Sequence, residues 1–124
     1  MFLGIDLGTS SVKVLLVDDA QRVIVSASEP IAVANPHPGW SEQDPAEWQG
    51  ATDVAIGRLK ADHPRDIAAV AGIGLSGHMH GATLIDGSDR PIRPCILWND
   101  TRSHAEAADL DAAKKHRWPV AAPE

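Results

Sequence analysis

Cysteine is nearly absent from this chain: Cys95 stands alone among 124 residues. One thiol can form no internal disulfide and no structural zinc site. Lying in an apolar stretch, it reads as a small core residue rather than a nucleophile. Long apolar runs are missing too, since no stretch of 18 such residues occurs, and a membrane-spanning helix is not expected. The opening Met1-Phe2-Leu3-Gly4 has neither the basic start nor the apolar stretch of a secretion leader. A reducing, cytoplasmic setting fits these features. Basic charge is scarce: 11 Lys and Arg face 17 Asp and Glu, a net −6. That balance argues against a nucleic-acid partner, whose phosphates demand a basic surface. No internal repeat or low-complexity tract is visible, and no linker interrupts residues 1–102.

What is present suits one domain with a real core. Apolar residues make up 44% of the chain, and a domain of this length can bury roughly two-thirds of its unfolded surface. The most informative stretch is residues 2–13. An apolar run ends in Asp6, and Gly8, Thr9, Ser10 and Ser11 follow before a second apolar run, Val12 to Val17, which carries Lys13. The pattern predicts strand, tight turn, strand. Amides and hydroxyls crowded into such a turn form a concavity suited to phosphate. A carboxylate beside it can hold a divalent ion through water, as magnesium prefers. The loop differs from the glycine-rich phosphate loop that opens a helix. The same residues also suit an ordinary hairpin, because Gly and Ser are common in turns.

Farther along, Asp18-Asp19-Ala20-Gln21 predicts a turn, and Arg22 to Val33 a third strand by alternation. Two prolines and a glycine make Asn35 to Trp40 a loop. Asp44 as N-cap, Pro45 and Glu47 then open a helix, whose apolar stripe is Trp48, Ala51, Thr52, Ala55, Ile56 and Leu59. Asp62-His63-Pro64 ends it. Val70 to Leu75 reads as a strand buried on both faces, with Gly72 and Gly74 marking close approach by another backbone. Ser76 to Gly81 is a glycine-bounded polar loop at its end. Ala82 to Ile85 predicts another strand, Asp86 to Asp89 a turn, and Ile92 to Trp98 an extended apolar segment. Asn99-Asp100-Thr101 resembles a cap for a helix from Arg102 to about Lys115. The order implies an α/β fold, a mixed sheet of three antiparallel N-terminal strands plus a helix-linked strand, flanked by helices.

Met1 to Val17, Gly39-Trp40-Ser41-Glu42-Gln43-Asp44-Pro45, Gly72 to Leu84 and Ile96 to Arg102 together resemble the start of the FGGY carbohydrate kinases. Met79-His80-Gly81-Ala82-Thr83-Leu84 and Pro36-His37-Pro38 lean toward the branch that phosphorylates xylulose. The resemblance runs to about residue 110. It implies a ribonuclease-H-like (actin-like ATPase) domain, with sugar bound on this first domain and ATP mainly on a second one. It implies that Asp6 helps hold Mg2+ and the transferring phosphoryl group, and that Gly8, Thr9, Ser10, Ser11 and Lys13 face the nucleotide phosphates. Met79 and His80 fall on the sugar-contacting pair, and Trp98, Asn99, Asp100 and Arg102 on the segment beside the sugar cleft. Taken residue by residue, Trp40 reads better as packing, and Asp100 with Arg102 as an ion pair or cap. His78 departs from the family's usual glutamine. The resemblance places the general base and the adenosine pocket in the second domain, beyond residue 124. Residues 1–116 are thus expected to be an incomplete N-terminal kinase domain and 117–124 a divergent tail. An N-terminal portion of this kind is expected to be inactive by itself, and its exposed domain face could pair with a second copy.

Overall fold

The computed structural model describes residues 1–117. Strand β1 (Phe2–Leu7) turns into β2 (Ser11–Val17), and β3 (Val23–Pro30) follows. A two-residue strand, β4 (Glu42–Gln43), precedes helix α1 (Pro45–Asp62) and the single turn of α2 (Pro64–Ala68). Then come β5 (Gly72–Gly77), the short β6 (Cys95–Ile96) and α3 (His104–Arg117). The main sheet has the order β3-β2-β1-β5, with β1 antiparallel to β2 and parallel to β5. It is the mixed four-stranded sheet that the element order implies. Strands β4 and β6 pair separately.

Alternation decides which face is core. Leu3 on β1 and Val12, Val14 and Leu16 on β2 point to one side, where Ala55 and Leu59 of α1 meet them with Ile31. Trp48, Ala51 and Ile56 pack around this centre, so the predicted stripe is the buried face of the helix. At its start, Asp44 accepts from the amide of Ala46, and Pro45 needs no amide partner in the first turn. At its end Pro64 cannot continue the helix, and α2 starts there instead. On the opposite face of the sheet the cross-strand neighbours Asp6 and Lys13, with Ser76 beside Asp6, lie together next to the turn.

Several elements are smaller or more open than expected. β3 stops at Pro30 rather than Val33, because Pro30 has no amide to continue the ladder. The Ala82–Ile85 strand reduces to isolated bridges, Ala82 to Ile96 and Ile85 to Pro91. Of Ile92–Trp98 only Cys95–Ile96 is strand; Pro91 and Pro94 remove the donors a longer ladder would need. β5 is an edge strand and is not buried on both faces: Ile73 is 62% and Leu75 79% exposed. Nor do its glycines admit a second backbone. A Cβ at Gly72 would meet the Phe2 ring, and one at Gly74 would meet nothing. The last helix starts at His104, two residues later than expected, because Asp100 caps the amide of Arg102 in a preceding turn. Residues 118–124, most of the expected tail, lie outside the described residues.

Two turns share one chemistry. Asp18 accepts from the amides of Ala20 and Arg22 and from the Arg22 guanidinium, and Asp86 does the same with Ser88 and Arg90. Each turn closes through a left-handed residue, Gln21 or Asp89. The amide of the arginine, foremost, holds each carboxyl below its ordinary range.

Candidate functional site

The β1–β2 turn is where the sequence expectations converge. Gly8 donates to the Ser11 carbonyl at 3.0 Å. A Cβ at Gly8 would come within 3.1 Å of that same oxygen, so the tight bend requires glycine. Two more of the turn's carbonyls are occupied. Thr9 O accepts from Gln43 Nε2 at 2.7 Å, and Ser10 O accepts from the Ile31 amide at 3.1 Å. Among the described residues, no acceptor takes the amides of Thr9 and Ser10. The amides of Thr9 and Ser10 are therefore spare donors at the bend, which is the polarity an anion needs. Asp6 and Lys13 are exposed at its flank.

The later segments reach the same place. Trp98 donates its indole N–H to Thr9 Oγ1 at 3.4 Å, although 89 residues separate them. The Ala82–Ile96 bridge is antiparallel and ties the loop after β5 to the segment that carries Trp98. His80 sits in the loop just after β5, with φ +64, a left-handed backbone uncommon outside glycine. Met79 and Trp98 are 68% and 59% exposed, a large apolar area beside a polar turn. Asn99 opens on another hollow, a cleft of about 470 Å3 shared with Pro36, His37 and Trp40.

Asp100 and Arg102 form the wall behind these residues. Asp100 Oδ1 accepts from the amide and Nε of Arg102, and Oδ2 from Arg102 Nη2 and the Ser41 amide, all within 2.9 Å. Arg102 also reaches Glu42 Oε1 at 2.7 Å, and Arg93 meets that oxygen at 2.6 Å. The guanidinium of Arg102 lies 3.6 Å over the Trp40 ring, so Trp40 packs on this cluster as well as lining the cleft. Arg102's side-chain hydrogen bonds, above all, hold the Asp100 carboxyl far below the usual carboxylate range, and the same bonds raise the Arg102 pKa. The two are engaged with each other and with β4.

Two participants, Gln43 and Glu42, were not singled out from the sequence, and His78 stands there as a departure from the family's usual glutamine. Gln43 is buried and joins the turn to α1. Glu42 balances two arginines. The His78 ring stands edge-on to Trp48, with Nδ1 buried and unpartnered. For Gln43 and Glu42 the only sequence signal was their place in the Gly39–Pro45 segment. Among the described residues no three His, Cys, Asp or Glu side chains gather as a metal cage. A lone exposed Asp6 beside a turn with free amides would instead suit a hydrated cation shared with phosphate oxygens. No described helix is long and apolar enough to cross a membrane.

A family model described as the N-terminal domain of the FGGY family of carbohydrate kinases matches residues 1–118. The chain belongs to the FGGY family. The xylulose kinase of Escherichia coli K12 is 47% identical over 112 residues, which cover 90% of this chain and 23% of that protein. That of Klebsiella pneumoniae is 48% identical over 111 residues, with the same coverage. Among solved structures, the crystal structure of a xylulose kinase from Brucella ovis superposes with a TM-score of 0.89 at 60% identity, covering 93% of this chain and 24% of that one. A glycerol kinase from Plasmodium falciparum, at 22% identity and a TM-score of 0.80, shows the fold alone. The chain thus spans about a quarter of the length of the FGGY relatives it matches. Its fold is the actin-like ATPase fold of these sugar kinases.

Proposed function

We propose that residues 1–117 are the sugar-side portion of a kinase that transfers phosphate from ATP to D-xylulose, giving D-xylulose 5-phosphate. One observation carries this reading: Trp98 bonds to Thr9, which brings the sugar-side segment onto the phosphate-binding turn. A phosphoryl donor held at the turn and a ketose held by Met79, His80 and Trp98 would then be neighbours, with Asn99 facing the adjoining hollow. Alignment and charge neutralisation are what phosphoryl transfer chiefly needs. The amides of Thr9 and Ser10, with Ser11 and Lys13, offset phosphate charge on one side. Asp6 would hold Mg2+ through water, and the ion would supply the remaining neutralisation when bound. Asp100 and Arg102 serve the sugar site by fixing the segment that carries Trp98 and Asn99. The hydroxyl proton needs a base, and a carboxylate engaged with a cation is a poor one. The family resemblance assigns that base, like most of the ATP site, to a second domain, so the 124 residues alone should bind sugar without turnover.

The test is calorimetric titration of the chain with D-xylulose, D-ribulose, gluconate and glycerol, with His80→Ala as control. The proposal expects saturable binding strongest for D-xylulose and lost in the variant, and no product in a coupled assay with ATP and Mg2+. Preference for another of the four compounds would reassign the substrate. Binding that His80→Ala leaves intact, or robust turnover by this chain, would defeat the reading.

A further inference from the structure

Gln43 is only 2% exposed, and its side chain makes three hydrogen bonds. Its Nε2 donates to Thr9 O at 2.7 Å and to Ala32 O at 3.1 Å, and its Oε1 accepts from Trp48 Nε1 at 3.1 Å. The indole can only donate and the two carbonyls can only accept, so the amide has a single satisfying orientation. One side chain thus ties the β1–β2 turn, the segment after β3 and helix α1 to β4. The consequence for the turn follows from peptide geometry. In a trans peptide the carbonyl and the next amide point in opposite directions. Gln43 draws the Thr9 carbonyl inward, so the Ser10 N–H is turned outward, and that amide has no acceptor among the described residues.

We infer that Gln43 is a positioning residue that holds the Thr9–Ser10 peptide with its donor facing the phosphate; this rests on the proposed role of the turn. Without the clamp the peptide is free to rotate, and both the direction and the dipole of the donor are lost. Trp48 contributes by occupying Oε1, which prevents the amide from flipping and placing its oxygen against two carbonyls.

The experiment uses the 15N-labelled 124-residue chain titrated with inorganic triphosphate, following backbone amide resonances. In the wild type, Thr9 and Ser10 should shift saturably. Gln43→Met keeps the shape and removes the bonds. It should move the Ser10 resonance in the absence of any ligand and weaken triphosphate binding about tenfold, the cost of one misaligned donor, while Leu16 and Leu59 in the core stay in place. Gln43→Glu gives a signature that packing alone would not. Facing two carbonyls, its carboxyl can donate only when protonated, so its affinity relative to wild type at the same pH should recover as pH falls from 8 to 5. An unchanged Ser10 resonance with wild-type affinity in Gln43→Met overturns the inference. Should that variant fail to fold, a Gln43→Glu affinity ratio that is flat with pH overturns it equally. If wild-type chain binds no triphosphate, the phosphate-turn reading fails, and the ligand-free Ser10 resonance still decides whether Gln43 sets the peptide.

Discussion

Replacing Gly39 by alanine should cost far more than its position in an exposed loop suggests. Gly39 sits at φ +78, where a Cβ crowds its own backbone, at about 1 kcal/mol or somewhat more for an L-residue. The added carbon would also lie 2.4 Å from Thr101 Oγ1, closer than any real contact. That hydroxyl donates to Gly39 O at 3.0 Å, beside the backbone bond from the Thr101 amide at 2.8 Å. Displacing it forfeits a hydrogen bond of about 1 kcal/mol. The sum is roughly 2–3 kcal/mol, and at about 4 °C per kcal/mol for a chain this long Tm should fall by about 8–12 °C. Urea unfolding of Gly39→Ala, Thr101→Ala and the double variant separates the terms. Thr101→Ala alone should cost about 1 kcal/mol. In the double variant the clash is gone, so its cost should fall short of the sum by about 1 kcal/mol. Gly39→Ala within about 0.5 kcal/mol of wild type, or strict additivity, would refute the argument. Because Thr101 lies between Asp100 and Arg102, the same lesion should loosen the segment that carries Trp98.

Leu16 is fully buried between the sheet and α1, and Leu16→Ala should cost about 2–5 kcal/mol in urea unfolding, the usual range for a core cavity. The Asp100 carboxyl is depressed below its ordinary 3.8, so its contribution is complete above that pH and drains away as acid titrates the folded form. Urea midpoints measured from pH 6 down to 2 should therefore fall less steeply for Asp100→Asn than for wild type. Trp98 is largely exposed, so Trp98→Ala should leave thermal stability within about 0.5 kcal/mol of wild type. Sugar binding measured by calorimetry should nevertheless drop severalfold in that variant.

Local chemistry wrote much of this chain legibly. Asp44-Pro45 and Pro64 mark the ends of α1, because a cap and a missing amide act within a few bonds. The hairpin is legible from Gly8 and its apolar flanks, and the mixed sheet from the order of strands. Tertiary structure alone decided the rest. The exposure of Ile73 and Leu75 could not be read from their hydrophobicity, since what covers a strand is set by its place in the sheet. Asp100 and Arg102 were legible as an ion pair or cap, but their ties to Glu42 and Trp40 come only from the folded path. Gln43 is a plain polar letter in the sequence, and its hold on Thr9 exists only because β4 passes beneath the turn. Short-range rules determine which segments form. Contacts across 34 residues, as from Gln43 to Thr9, and across 89, as from Trp98 to Thr9, arise from the folded path alone.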